Sequence, residues 1–368
     1  MIFVSFIIPV YNGEKYIEEC VEQILKNKER SAYEIILIND GSTDNSGVIC
    51  ARLSRKFPET IKLINIKNGG VSVARNRGIQ AAEGQYISFV DQDDFVSDKI
   101  VSYLFDVIDK NPDIILFDWK RQAGRLFLQE VNQMLYLHKR LANTANIKNN
   151  YKIIRFTSND KIKLISNLLY PQDDVLKNAS LVFPWGKLYN KKFLLSNHIA
   201  FHSQVKICED VYFNISCFMC MKKAIYIKTI GYYYYDNKSS AGSSYNKKAI
   251  YIGMKSNQLI TKLLSDIRCK QIDTANVYSI LYRYWWCVVV DFGHIYNRDN
   301  IVQRARRMKK LKETNIYLEA FKRTTTDMFN VMDFNQRFVM KLIWRNHFLF
   351  ASCICRLRIV VKRLKNNK

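Results

Sequence analysis

The sequence contains little glycine and proline, with 13 and 5 residues among 368. Its hydrophobic residues make up 48% and its aromatic residues 13% of the chain, enough apolar surface to form a folded core. Extensive disorder is therefore excluded. Because the chain is longer than one minimal domain, we expect one domain of ordinary size and a smaller appendage.

Long uncharged apolar runs are also missing. No stretch of about 18 apolar residues is free of charge, and the best candidate, which begins at Tyr284, is interrupted by Asp291. We therefore expect no helix that spans a membrane. The first residues, MIFVSFIIPVYNGEKY, lack the basic start and the small-residue cleavage site of a signal peptide, and they predict a β-strand.

The nine cysteines are odd in number and scattered, which is not typical of a disulfide framework. A reducing, cytoplasmic compartment fits this usage best. Cys217 and Cys220 form one CxxC pair without a second pair, so the pattern favours buried thiols over a zinc or redox site.

Acidic residues are few, 33 against 57 Lys and Arg, and the net charge is +24. Polyanions such as nucleic acid, anionic lipid headgroups and phosphorylated substrates are the natural partners. Residues 301–368 hold 17 basic and 4 acidic residues and so contribute +13. We expect a helical, basic region over 241–368 that lies on an anionic membrane surface; the alternative is a helical subdomain with a solvated basic face.

Strand-like and helix-like segments alternate over the first 120 residues. This alternation predicts an α/β fold, with a mostly parallel central sheet and helices on both faces. The pattern loosens from residue 121 to about 178, where we expect an irregular insertion. The predicted domains are 1–240, in halves 1–120 and 121–240, followed by 241–368. The predicted early strands are 2–10, 34–38, 61–66, 86–90 and 113–119.

Acidic and polar residues follow these strands at their carboxyl ends, where open α/β sheets bind ligands. Asp40 follows the second strand, and the four residues Asp91, Gln92, Asp93 and Asp94, here called the acidic segment, follow the fourth. Like charges this close repel, so a cation or a hydrogen-bonding ligand is expected. Oxygen ligands suit Mg²⁺ or Mn²⁺. The alternative is a solvated turn that caps a helix, and Asp94 fits that alternative best.

Glycine-rich phosphate loops are missing as well. The first strand runs into VYNGEKY, with one glycine where GxGxxG needs three, and no GxxxxGK[ST] sequence occurs. Dinucleotide-binding and P-loop domains are therefore excluded. Phosphate groups must instead be bound by a metal ion and basic side chains.

Four blocks in order, FIIPVYNGEKYIEECVEQIL, EIILINDGSTDNS, NGGVSVARNRGIQAAEGQYISF and VDQDD, resemble the family 2 glycosyltransferases of the GT-A fold. That family includes the enzymes of bacterial surface polysaccharides. The similarity is close over about 120 residues and continues more weakly in PWGKLY and CEDVYF.

The resemblance implies an inverting enzyme that transfers a sugar from a nucleotide-diphosphate donor, UDP-sugar by preference, to a hydroxyl of a lipid-linked glycan at the inner face of the membrane. It implies Mn²⁺ or Mg²⁺ as cofactor. The implied donor-side residues are Tyr11 and Glu14 near the nucleoside, Asp40 at base or ribose, Arg75 at the nucleotide, Asp91 at ribose and metal, and Asp93 as metal ligand. The implied acceptor-side residues are Asp210 as general base, Glu209 and Trp185.

Two other classes remain as alternatives. A nucleic-acid-binding protein would explain the net charge but would have no use for an acidic edge, so we expect no nucleic-acid partner. A non-catalytic nucleotide-sugar-binding protein would keep the fold, but the intact Asp91, Asp93 and Asp210 favour catalysis. Each of these residues also has a purely structural explanation, as a turn, cap or packing residue.

Overall fold

The computed structural model describes residues 1–122, 151–235, 248–292, 294 and 296–366. The chain forms two compact units, the first from residues 1–161, 174–203 and 213–237. The second unit contains segments 162–173 and 204–212 and the chain from 238 onward. The sequence predicted one boundary at residue 240, whereas the structure groups two earlier segments with the later helices.

The described part of the first unit is built on a nine-stranded sheet. The order of its strands is β3-β2-β1-β4-β8-β6-β9-β5, and β7 pairs with β9. The strands are β1 Val4–Val10, β2 Tyr33–Asp40, β3 Ile61–Ile66, β4 Tyr86–Phe89, β5 Phe95–Val96, β6 Ile114–Gln122, β7 Lys152–Thr157, β8 Lys187–Asn190 and β9 Lys223–Tyr235.

Strands β3, β2, β1 and β4 are parallel to one another, as predicted. Strand β2 is buried along its whole length, and β1 is buried at six of seven positions. Continuous burial is typical of parallel strands that are covered on both faces.

The helices of the first unit are α1 Ile17–Ile24, α2 Ser46–Lys56, α3 Val71–Ala81, α4 Ile100–Phe105 and α6 Lys191–Ser196. Helix α7, Glu209–Cys220, begins in the second unit and ends in the first.

The other half of the sheet is mixed, so the prediction of a mostly parallel sheet holds only for the first half. Strand β8 is antiparallel to β4 and to β6, and β5 and β7 are antiparallel to β9. Strands β6 and β9 are parallel. Apolar periodicity reports burial and not the direction of a partner strand, which is why the sequence did not show this arrangement.

The predicted irregular insertion at 121–178 contains regular structure at its far end. Strand β7 pairs with β9, and helix α5, Lys161–Leu169, follows it. Only Phe156 of β7 is buried, so the strand lacks the apolar run that marked its neighbours. Residues 123–150 of the predicted insertion lie outside the described residues.

The second unit is helical, as predicted for the carboxyl-terminal region. Its core contains Tyr284, Tyr317 and Phe321, whose rings make edge contacts at 5.2 Å. Among the described residues, no helix combines the length and the hydropathy that crossing a bilayer requires. The later helices are α8 Ala249–Leu264, α9 Lys270–Cys287, α10 Ile301–Lys312, α11 Asn315–Lys322, α12 Phe334–Trp344 and α13 Phe348–Asn366.

Candidate active site

The loop after β1 is bound to the loop after β2 by side chains from both. The backbone N–H of Gly13 donates to Ser46 Oγ at 2.8 Å, and the N–H of Thr43 donates to Asn12 Oδ1 at 2.8 Å. Asn12 has a φ of +48°, which asparagine tolerates better than most residues. These bonds fix the carboxyl ends of two neighbouring parallel strands relative to each other.

Glu14 and Tyr11 lie in this loop and have different surroundings. Glu14 Oε2 accepts from the backbone N–H of Asn45 at 3.0 Å and from its side-chain amide at 2.9 Å. The carboxylate therefore organises the start of α2, and its predicted place near a nucleoside stays a prediction. The Tyr11 side chain is 48% exposed, so its ring is accessible to a ligand.

Asp40 holds the loop that leads into α3. Its Oδ1 accepts from the N–H of Gly69 at 2.7 Å, and its Oδ2 accepts from the N–H of Gly70 at 2.9 Å. Gly70 has a φ of +88°, a conformation that favours glycine. Because the Asp40 side chain is buried and engaged with two amides, its visible role is to shape this loop. A contact with base or ribose stays a prediction.

Arg75 and Asp91 form an ion pair at this edge of the sheet. Arg75 Nη2 donates to Asp91 Oδ1 at 2.9 Å, and the two side chains are 5% and 33% exposed. The guanidinium also lies over the ring of Phe201, at 5.1 Å from its centroid. Asn76 binds the backbone of Phe201 at both N–H and C=O, at 2.8 Å each. The sequence placed Arg75 and Asp91 at one site, and the structure brings them into contact.

Gln92 joins the acidic segment to the end of β1. Its Oε1 accepts from the N–H of Tyr11 at 3.0 Å, and its Nε2 donates to the C=O of Tyr11 at 3.1 Å. A side chain at Gly13 would meet Gln92 Oε1 at 2.2 Å, so it would displace the Gln92 amide from its contacts with Tyr11. No role was predicted for Gln92 from the sequence. Its position between two aspartates was the available signal, but the partner lies 81 residues away.

Asp94 is not a solvated, helix-capping turn residue, contrary to the alternative that the sequence left open. It is 1% exposed, and it accepts from the hydroxyl of Tyr232 and from the N–H of Tyr235, at 2.7 Å each. Burial raises the pKa of Asp94 well above its usual range, and the charges of Asp91 and Asp93 raise it further. The three carboxylates therefore act on one another.

The donor set of the acidic segment fits a divalent cation that is shared with a ligand. Burial raises the pKa of the Cys20 thiol well above its usual value, and the charges of Asp94, Asp93 and Asp91 add to this, so negative potential accumulates here. Within the described ranges, no group of three or more His, Cys, Asp or Glu side chains is placed to hold a metal ion by itself. Mg²⁺ commonly binds one or two carboxylates and completes its shell with substrate phosphate oxygens.

Glu209 and Asp210 occupy the first turn of α7. Asp210 Oδ1 accepts from the N–H of Val211 at 2.7 Å. Carboxylates are stabilised at a helix N-terminus by the helix dipole. Both residues belong to the second unit, whereas the donor-side residues above belong to the first. The predicted joint action of Asp210 with Asp93 therefore stays a prediction.

Trp185 is buried, and both faces of its indole are covered. The ring of Phe183 stacks on it at 4.3 Å, and the ring of Tyr232 stacks on it at 4.4 Å, with interplanar angles of 8° and 4°. An open ring face for a sugar is therefore not available. Its assignment to the acceptor side stays a prediction, and its visible contact is with the tyrosine that binds Asp94.

Comparisons with known proteins identify a family over part of the chain. Residues 5–164 match the family described as Glycosyl transferase family 2. The chain is 30% identical over 246 residues to the glycosyltransferase GlyA of Streptococcus pneumoniae serotype 4, covering 67% of this chain and 32% of that protein. It is 27% identical over 236 residues to a poly(ribitol-phosphate) beta-glucosyltransferase of Bacillus spizizenii, covering 63% of this chain and 32% of that protein. The chain thus spans about a third of the length of these two relatives.

A solved structure is similar over nearly the whole chain. S. aureus TarS 1–349 in complex with UDP-GlcNAc has a TM-score of 0.57 and 17% sequence identity, and the match covers 99% of this chain and 92% of TarS 1–349. At this level of identity the likeness concerns the fold. The GT-A fold that the sequence predicted is thereby confirmed.

Proposed function

The chain belongs to glycosyl transferase family 2 through its residues 5–164, and on that premise we propose that it transfers a sugar from a nucleotide-diphosphate donor to an acceptor hydroxyl. The observation that carries the proposal is the ion pair of Arg75 with Asp91, beside Asp93, where the parallel strands end. The buried guanidinium of Arg75 lies next to carboxylates, and this arrangement suits a diphosphate that is bound together with a metal ion. The UDP-GlcNAc complex of TarS supports a UDP-sugar as the donor class.

We propose that Asp93 ligates Mn²⁺ or Mg²⁺, with Asp91 close to the same ion and to the ribose. When bound, such an ion neutralises the charge that develops on the leaving nucleotide diphosphate. Arg75 orients Asp91 through their 2.9 Å contact. Gln92 holds the acidic segment against the backbone of Tyr11, so these residues keep a fixed distance from the nucleoside side of the site.

The nucleoside is proposed to bind at the loops after β1, β2 and β3. Tyr11 offers an exposed ring that a base can stack on. Glu14 and Asp40 support the site by holding the loops at Asn45 and at Gly69, and each keeps lone pairs for a ribose or base contact.

Asp210 is proposed as the general base that takes the proton from the acceptor hydroxyl. It lies in the first turn of α7, next to Glu209. A positioned base contributes about 10²- to 10⁴-fold to such a step. One base and direct displacement invert the anomeric centre, so we propose an inverting mechanism.

The acceptor is proposed to be a lipid-linked or surface glycan at the inner face of the cell membrane. The relative that acts on poly(ribitol-phosphate) supports a polyanionic acceptor, and the net charge of +24 suits one.

Phe334 and Phe338, four residues apart on α12, are 79% and 51% exposed in the basic region. Exposed aromatic rings among basic residues are typical of helices that lie at an anionic membrane surface.

The membrane proposal is tested by flotation of the protein with anionic liposomes. Replacement of Phe334 and Phe338 by Ser is expected to reduce the floated fraction, and replacement of Leu195 by Ser, a residue 50% exposed on α6 in the first unit, serves as control. Equal flotation of the double variant and the wild type would remove these residues from a membrane contact.

The catalytic proposal is tested by a screen of UDP-, GDP- and dTDP-sugars with Mn²⁺ or Mg²⁺. Release of the nucleoside diphosphate from one donor class is expected, and EDTA is expected to stop it. Donor binding without release or transfer would instead identify a nucleotide-sugar-binding protein. Neither binding nor release with any donor would overturn the proposal.

A further inference from the structure

We propose that Tyr232 is a positioning residue for the acidic segment: through its hydroxyl it sets the geometry in which Asp91 and Asp93 receive the metal ion. The inference rests on the proposed metal-dependent transfer and deepens it. It concerns a residue 138 positions away from Asp94 in the sequence, on strand β9.

The Tyr232 hydroxyl contacts both ends of the acidic segment. It donates to Asp94 Oδ2 at 2.7 Å, and it accepts from the backbone N–H of Asp91 at 3.1 Å. One oxygen atom therefore joins the first and last residues of the segment and leaves Asp93 between them. A side chain that only filled space would need neither bond.

Strand β9 also contacts Asp94 and the residues that follow the acidic segment. The N–H of Tyr235 donates to Asp94 Oδ1 at 2.7 Å, and the N–H of Ser97 donates to the C=O of Gly231 at 3.0 Å. Val96 pairs with Tyr232 in the sheet. The acidic segment is thus held at one end by β1, through Gln92, and at the other by β9.

Tyr232 itself has little freedom to move. It is fully buried, and its ring stacks on Trp185 with an interplanar angle of 4°. The neighbouring Gly231 allows β9 to lie close to β6, because a Cβ at that position would meet the Phe117 side chain at 2.6 Å. Packing that does not involve the carboxylates therefore fixes the position of the Tyr232 hydroxyl.

The physical consequence follows from the charges in the segment. Asp91, Asp93 and Asp94 repel one another, and without a fixed frame they would move apart when no cation is present. The hydroxyl offsets part of this repulsion at Asp94 and satisfies the amide of Asp91, which keeps the segment ready for the ion. Loss of an outer partner of this kind commonly weakens metal binding by about 10- to 100-fold.

The test is Tyr232→Phe, which removes the hydroxyl and keeps the ring stacked on Trp185. Metal-dependent release of the nucleoside diphosphate is measured over a range of Mn²⁺ concentrations, and Mn²⁺ binding in the presence of UDP is measured separately by calorimetric titration, where the dissociation constant is expected to rise by a similar factor. The Mn²⁺ concentration for half-maximal activity is expected to rise about tenfold or more, and saturating Mn²⁺ is expected to restore most of kcat. Tyr233→Phe, at the next position of β9, is the control and is expected to keep the wild-type value.

A second variant approaches the same contact from its other end. Asp94→Asn keeps the shape of the side chain and one acceptor oxygen, and it is expected to raise the half-maximal Mn²⁺ concentration in the same direction. It provides the readout if Tyr232→Phe does not fold, which circular dichroism shows.

The outcomes separate the inference from the function on which it rests. A wild-type protein without any metal-dependent activity would overturn the proposed function, and the inference with it. A metal-dependent wild type, together with folded variants that keep its half-maximal Mn²⁺ concentration, would overturn the inference alone. A loss of kcat that saturating Mn²⁺ does not relieve would also contradict it, because that result indicates a general structural role.

Discussion

Arg75 and Asp91 are joined by a 2.9 Å contact between a nearly buried guanidinium and a carboxylate that is one-third exposed. The arginine lies on α3 and the aspartate follows β4, so the pair connects two elements of the sheet edge. Arg75 faces the protein interior, and Asp91 faces the site. The pair therefore bears on both stability and donor binding.

Arg75→Gln is expected to destabilise the protein by about 1–3 kcal/mol, because it removes a charge-assisted bond and leaves Asp91 without this cation. Urea unfolding measures the change. Arg52→Gln is the matched control: Arg52 pairs with Glu18 at 2.6 Å, but both side chains are about half exposed, so a loss under about 1 kcal/mol is expected. Equal losses in the two variants would contradict a special role for the Arg75 pair.

Gly78→Ala is expected to destabilise the protein by about 1–3 kcal/mol through overpacking. A Cβ at Gly78 would meet Ile7 Cγ2 at 2.2 Å, and Ile7 is buried in β1. Gly253→Ala serves as control, because its Cβ would meet Cys287 Sγ at an ordinary 3.4 Å, and a change from neutral to about 1 kcal/mol more stable is expected. Thermal unfolding of both variants measures the difference in stability. A Gly78→Ala variant as stable as the Gly253→Ala control would show that α3 does not pack closely on β1.

The buried thiol of Cys50 predicts a pH dependence of stability. Burial raises the pKa of Cys50 to about 12 from its ordinary value of 9.0. The folded state then keeps a proton that the unfolded state has lost, so the stability due to the thiol is complete below pH 9 and falls as pH rises toward 12. The slope is about 1.4 kcal/mol per pH unit in that window.

Cys50→Ala provides the measurement of that slope. The variant is less stable than the wild type at pH 8 because it leaves a small cavity, and the difference is expected to shrink between pH 9 and 10. A difference that stays constant over this range would indicate that the thiol titrates at its ordinary pKa.

Asp210→Asn is expected to reduce transfer by about 10²- to 10⁴-fold and to leave donor affinity almost unchanged, because the base acts on the acceptor. Transfer assays and donor titration check the two quantities separately. Asn214, further along α7, is not suitable as a control because it accepts from the Tyr189 hydroxyl at 2.7 Å. Asp266→Asn, in the second unit, is the better reference, and turnover near the wild-type level in Asp210→Asn would remove Asp210 from the role.

The sequence predicted the parallel half of the fold well, because β1 and β2 are continuous apolar runs that end in polar residues. It did not predict the direction of β8 or the strand β7, since a short or partly solvated strand carries no distinct period. Likewise, Asp91 and Arg75 stood out as charges at the expected edge. The bond of Asp94 to Tyr232 links residues 138 positions apart, and no local pattern reports such a contact.

The role of Asp40 shows a second limit of prediction from the sequence. A carboxylate after a parallel strand suggested a ligand contact, but its two oxygens bind the amides of Gly69 and Gly70. Sequence position placed the residue at the correct edge of the sheet. Which of its neighbours it binds depends on the φ of Gly70, which only the folded backbone shows.

Calorimetric titration of the donor into the wild type and into Asp93→Asn, with and without Mn²⁺, tests the central claim most directly. We predict that Mn²⁺ strengthens donor binding to the wild type by about tenfold or more and that this gain is lost in the variant. Equal strengthening in both proteins, or none in the wild type, would contradict a metal site at the acidic segment.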